Sequence, residues 1–105
     1  MKNPEVAYQE LEYLLEAIVA IDNTADARAF FRDLCTINEL TAMAERWHVV
    51  RLLETGMTYR DICEKTGSST ATITRVAHWL NNGAGGYRKI LNIQKANSPQ
   101  AEPKS

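Results

Sequence analysis

Between Thr58 and Leu80 the chain reads TYRDICEKTGSSTATITRVAHWL, and this stretch leaves few choices of fold. Thr58 is placed to cap a helix, with Asp61 on the orphan amides of its first turn. Ile62 and Cys63 give that helix an inward face, and Gly67, free to take positive φ, ends it. Ser68 or Ser69 then caps a second helix that runs to about Asn81. In it Ile73, Val76, Ala77 and Leu80 recur at helical spacing and mark one buried face. The other face carries Thr70, Ala71, Thr74 and Arg75. Small, hydroxyl-bearing side chains at the start of such a helix let its backbone approach a surface closely, which a DNA major groove requires. The spacing predicts a helix-turn-helix over about 58–81.

Charge is informative by its distribution. The whole chain has a formal net charge of −1, which excludes polyanion binding through bulk charge. Residues 1–56 hold five Lys or Arg against ten Asp or Glu. Residues 57–92 hold five (Arg60, Lys65, Arg75, Arg88, Lys89) against two (Asp61, Glu64). The remainder holds Lys95 and Lys104 against Glu102. An acidic support with a basic head fits docking to DNA by a local patch; ordinary charge scatter is the alternative.

With 105 residues, 45% of them hydrophobic, the chain is long enough for one small domain or for one subunit of an obligate oligomer. Cys35 and Cys63 are the only cysteines; they form no C-x-x-C pair, and His48 and His78 do not complete zinc-finger spacing. Both read as reduced, buried small hydrophobes. With no signal peptide and no apolar run of membrane-spanning length, a soluble, cytoplasmic protein is expected.

The rest of the chain reads as support. Pro4 suits the first turn of a helix to about Ile21, with Val6, Ala7, Leu11, Leu14, Leu15, Ile18 and Val19 as an apolar stripe. So wide a stripe on a terminal helix points to burial against a partner subunit as much as against the chain's own core. Asn23 or Thr24 caps a second helix, in which Ala27, Phe30, Phe31 and Leu34 share a side and the two phenylalanines are expected as core anchors. Thr36 and Glu39 make a capping box for a third, central helix through Leu40, Met43, Ala44, Trp47, Val50 and Leu53 to Gly56. After Leu80, NNGAGG is a flexible break with three glycines, and Tyr87 to Leu91 either adds a short helix or lies along a DNA backbone. From about Ala96 the tail is polar and proline-bearing, so 96–105 is expected to be disordered beyond a single helical domain over 1–95. No strand-like alternation occurs, and the fold class is all-α.

No catalytic constellation is present. P-loop, H-E-x-x-H and dinucleotide fingerprints are missing, and NGAGG follows a helix where a phosphate loop follows a strand. A Cys–His nucleophile pair is poorly supported, since both cysteines sit at core positions of helices. No enzyme, metal or cofactor is expected. The residues assigned to DNA contact or its support are Arg60, Ser68, Ser69, Thr70, Ala71, Thr72, Thr74 and Arg75. The competing reading of the hydroxyls is capping and solvent contact.

From Leu34 to Leu91 the sequence resembles the Trp repressor superfamily, and in particular its uncharacterised Trp-repressor-related bacterial branch. The likeness is carried by LCT, by the T-x-x-E capping box, by TGSSTATITR and by LNNGAGGY, in that order. It implies a Trp-repressor-like fold in an intertwined homodimer, with two reading heads on successive major grooves of double-stranded DNA and a pseudo-palindromic operator. It also implies a candidate effector pocket of Thr36, Arg46 and Arg75, after the two arginines and the threonine that hold tryptophan in the repressor. Here Val76 stands where the repressor has glycine, and Trp79 where it has a serine beside the ligand. The central helix is also one residue shorter between Arg46 and Met57, which turns Arg46 by about a third of a turn. The expectation is that tryptophan is not the effector and that Trp79 takes its place. The function so implied is a sequence-specific, DNA-binding transcription regulator that acts as a homodimeric repressor through its helix-turn-helix; the alternative is a helical protein-interaction module of the same architecture without specific DNA binding.

Overall fold

The computed structural model describes residues 4–97. Six helices follow one another, with no strand among the described residues: α1 (Pro4–Ala20), α2 (Thr24–Leu34), α3 (Ile37–Glu54), α4 (Tyr59–Thr66), α5 (Thr70–Asn82) and α6 (Gly86–Asn97). The all-α expectation holds. No helix among the described residues is long and apolar enough to cross a membrane.

Local chemistry sets most of the boundaries. Asn23 caps α2, its side chain accepting from the Asp26 amide at 2.8 Å, while Thr24 is the first helical residue. The capping box of α3 is reciprocal: the Thr36 amide donates to Glu39 Oε1 at 2.8 Å, and the Glu39 amide donates to Thr36 Oγ1 at 3.0 Å. Thr58 caps α4 through the Asp61 amide at 3.1 Å, and Gly67 at φ +79° closes it in the left-handed region.

Contacts divide the chain into two units, one up to Leu40 and one from Thr41 onward. In the first, neither α1 nor α2 has a buried residue. Phe30 and Phe31 meet edge to face, with ring centroids 5.6 Å apart, but both are only half-buried. They were expected as core anchors and are only partly enclosed, since α1, α2 and the first turn of α3 are all that this unit has to cover two aromatic rings.

The second unit has a closed core. Val49, Val50 and Leu52 of α3 meet Ile62 of α4, Ile73 and Val76 of α5, and Leu91 of α6; Trp47, Leu53, Met57, Cys63, Leu80 and Tyr87 pack against them. The burial on α3 is confined to its C-terminal half, so the stripe read from Leu40 onward is only partly used. Cys63 and Cys35 are free thiols, half-buried where full burial was expected; Cys35 sits at the C-cap of α2.

Two readings of the C-terminal segment change. NNGAGG is a short ordered connection rather than a flexible break: α5 continues to Asn82, the Gly83 amide returns to the Trp79 carbonyl at 2.9 Å, and Gly85 takes φ +92°. A Cβ at Gly83 would come within 2.5 Å of that carbonyl, so only glycine fits. Tyr87 to Leu91 is part of α6, which runs through Ala96 and Asn97 because Leu91 anchors it in the core. The tail expected to be disordered from Ala96 is therefore helical for two residues, and its remainder lies outside the described residues.

Candidate nucleic-acid interface

The turn between α4 and α5 is Gly67, Ser68 and Ser69. Ser69 is the cap of α5: its Oγ accepts from the Thr72 amide and its hydroxyl faces Thr72 Oγ1, both at 3.1 Å. On α5, Ile73 and Val76 enter the core, and Ala77 is buried with them. That geometry leaves Thr70, Ala71, Thr74 and Arg75 exposed, with Ser69 at the head of the same face; Thr72 is half-buried. Arg60 is exposed on α4. Thr70 also lies 3.6 Å from the Cys63 sulfur, a weak contact from its start of the helix back to α4.

Ser68 was read as an alternative cap of α5 and assigned to DNA contact or its support; it is not the cap, and it is buried. It is 6% exposed, and its hydroxyl donates to Glu45 Oε2 on α3. Its own amide donates to Thr66 Oγ1 at 3.0 Å, and the Thr66 hydroxyl donates to the Ile62 carbonyl at 2.7 Å. A serine beside a glycine offers the same local cap signal as its neighbour; only the position of Glu45 decides which serine turns inward.

Beside α5 lies a cavity of about 270 Å³ lined by Arg46, Thr72, Arg75, Val76, Trp79 and Tyr87. Three of the four residues assigned to an effector pocket meet here. Thr36 is not among the lining residues; its hydroxyl is engaged by the Glu39 amide. Neither Val76 nor Trp79 closes the cavity. Trp79 is 54% exposed, stands with its ring centroid 5.0 Å from that of His78, and forms a wall. A more open apolar groove of about 570 Å³ adjoins it, bounded by Trp47, Trp79, Tyr87, Ile90 and Gln94 with the glycine turn. Tyr87 was read only as part of a terminal helix, and no local signal marks it as a cavity residue.

The basic patch is smaller than the sequence count. Arg88 Nη1 binds Glu54 Oε1 at 2.6 Å, and Lys95 lies 3.5 Å from the second carboxylate oxygen. The hydrogen bond from Arg88 holds the Glu54 carboxyl below its ordinary value of 4.5 against a smaller opposing effect of burial, with Lys95 adding to the attraction. Arg88 is thus committed to α3, leaving Arg60, Lys65, Arg75 and Lys89 without an ion pair among the described residues. No cluster of three or more His, Cys, Asp or Glu side chains suited to a metal ion occurs among the described residues.

The sequence profile described as Trp repressor protein matches residues 9–95, which takes in α2 to α5 entirely and most of α1 and α6. The chain belongs to the Trp repressor family. Within it, the chain is 40% identical over 96 residues to uncharacterized protein YerC of Bacillus subtilis, covering 91% of this chain and 92% of that one. It is 31% identical over 81 residues to the Trp operon repressor homolog of Chlamydia trachomatis serovar L2, covering 72% and 86%. The crystal structure of a TrpR like protein from Eubacterium eligens superimposes with a TM-score of 0.78 at 42% identity, over 87% of this chain and 94% of that one. The fold is that of the Trp repressor family.

Proposed function

We propose that this member of the Trp repressor family is a sequence-specific DNA-binding transcription regulator, a repressor that acts as a homodimer. The observation that supports the reading is the burial pattern of α4 and α5, joined by the short Gly67–Ser69 turn: the core takes one side of α5, Ser69, Thr70, Ala71, Thr74 and Arg75 remain exposed, and so does Arg60 on α4. In such a head the small residues admit the backbone of α5 to the major groove, and the arginines reach base edges or phosphates. Support for the dimer comes from α1, whose Leu11, Leu15 and Val19 share a side and are all exposed. An apolar face of that extent calls for a second surface, and a two-fold protein prefers a two-fold-symmetric operator.

Regulation without tryptophan is part of the proposal. The Arg46–Arg75 cavity is walled by Val76 and Trp79, where the repressor that binds tryptophan carries glycine and serine. Selection from a random duplex pool, with and without tryptophan, tests both halves. Enrichment of one symmetric site in both arms is the expected result. Enrichment only with tryptophan would overturn the corepressor statement, and no enrichment in either arm would favour a protein-interaction module. On the selected duplex, Arg60→Ala is expected to weaken binding by about 1–3 kcal/mol and to relax preference at one base position. Affinity should fall steeply with salt, as phosphate contacts release counterions.

A further inference from the structure

We propose that Glu45 is a positioning residue for α5: its hydrogen bond to Ser68 holds the α4–α5 turn to α3 in the setting that DNA binding uses. The inference rests on the DNA-binding reading above and names what fixes the reading helix within it.

Three observations carry it. Ser68 is a buried polar residue whose hydroxyl donates to a carboxylate 23 positions earlier in the chain. The same residue is tied on its other side to α4, through its amide to Thr66 and through the Thr66 hydroxyl to the carbonyl of Ile62, a residue wholly within the core. Its successor, Ser69, starts α5 by capping Thr72. A continuous path therefore runs from the α3 carboxylate through one buried serine to the first turn of the helix that carries Thr70, Ala71 and Thr74.

Val49 and Val50 of α3 also share one apolar core with Ile73 and Val76 of α5. Apolar contacts are non-directional and allow a helix to roll against its neighbour. A hydrogen bond to a carboxylate is directional and stronger than one between neutral groups. Gly67 at φ +79° gives the turn its shape, but a shape alone does not set the angle of α5 to α3. The Glu45–Ser68 bond does, and it does so within the chain, with no ligand required.

The test uses the full chain and the duplex that the wild type selects. Glu45→Ala, Ser68→Ala, their double variant and Glu45→Gln are compared for duplex affinity, thermal midpoint and amide exchange at Thr72 and Ile73. Each alanine variant is expected to lose about tenfold in affinity, as the competent setting becomes a minor fraction. The double variant should lose no more than the weaker single one, because both remove one interaction. Glu45→Gln should recover most of the affinity, since its amide oxygen still accepts from Ser68. Exchange at Thr72 and Ile73 should speed up in the alanine variants while thermal midpoints stay near the wild type. Additive losses, an unchanged affinity, or a Gln variant as weak as the Ala variant would each overturn the proposal. If one alanine variant does not fold, the other single alanine variant and Glu45→Gln, each against the wild type, decide it. Failure of the wild type to select any duplex is a distinct result, and sinks the DNA-binding reading itself.

Discussion

α1 and α5 carry apolar stripes of comparable regularity, yet they meet opposite fates. On α5, Ile73, Val76 and Ala77 disappear into a core built with α3, α4 and α6. On α1 no residue is buried, and Val19 at the end of its stripe is 83% exposed. The difference does not lie in the helices' own sequences. It lies in what each has to pack against: α5 has three neighbours within its unit, whereas α1 shares its unit with α2 and the first turn of α3. Periodicity says that a face will be covered, and the number of partners within reach says whether the same chain can cover it.

That comparison can be broken at several points. The largest effect is expected from charging the open stripe. Leu11→Glu with Leu15→Glu should weaken association by about 3–6 kcal/mol, two leucine burials, and give a single-chain mass by sedimentation at micromolar concentration. A chain already monomeric, with unchanged stability in the variant, would show that α1 needs no cover. Ile62→Ala or Ile73→Ala, each at a fully buried site, should cost about 2–5 kcal/mol in denaturant unfolding, since the cavity has no exposed side from which to relax. Smaller is Gly67→Ala, expected to cost about 1–2 kcal/mol because an L-residue is strained at φ +79° while the added methyl itself meets open space. Rescue by Gly67→Asn, which tolerates that conformation better, would confirm a backbone origin.

The smallest effect concerns Glu54, whose side chain is 24% exposed in its pairs with Arg88 and Lys95. Its carboxyl is held below 4.5 in the folded chain, chiefly by the Arg88 hydrogen bond. The stability it contributes is thus complete above its unfolded value and is lost as pH falls through the lower folded one. Glu54→Gln should cost no more than about 1 kcal/mol at neutral pH, with the deficit vanishing in strong acid. A deficit that persists at low pH would assign the effect to packing and not to charge.

Much of the fold was legible because its signals are short-range. Thr36 with Glu39, Thr58 with Asp61, and Gly67 each act within three or four residues of chain, so identity at those positions nearly decides the local conformation. The open face of α5 was legible for the same reason, since it is the complement of a stripe that helical spacing reveals. Phe30, Phe31 and Ser68 are among the residues that were misread. Phe30 and Phe31 were taken as core on hydrophobicity, which carries no information about how much surface is available to meet them. Ser68 was grouped with Ser69 for capping and DNA contact because the two are locally equivalent, and the carboxylate that engages Ser68 sits on another helix.

By itself, then, the sequence determined the order of the first five helices, most of the caps and the face α5 leaves open, all of which follow from near-neighbour hydrogen bonds and helical period. Only the tertiary structure decided that Ser68 turns inward to Glu45, that Arg88 is spent on Glu54 from 34 residues away, and that Tyr87 joins Arg46, Arg75 and Trp79 around one cavity. Each of those joins side chains on different helices, and their meeting depends on how α3, α5 and α6 settle around Val49, Ile73 and Leu91 rather than on any spacing along the chain.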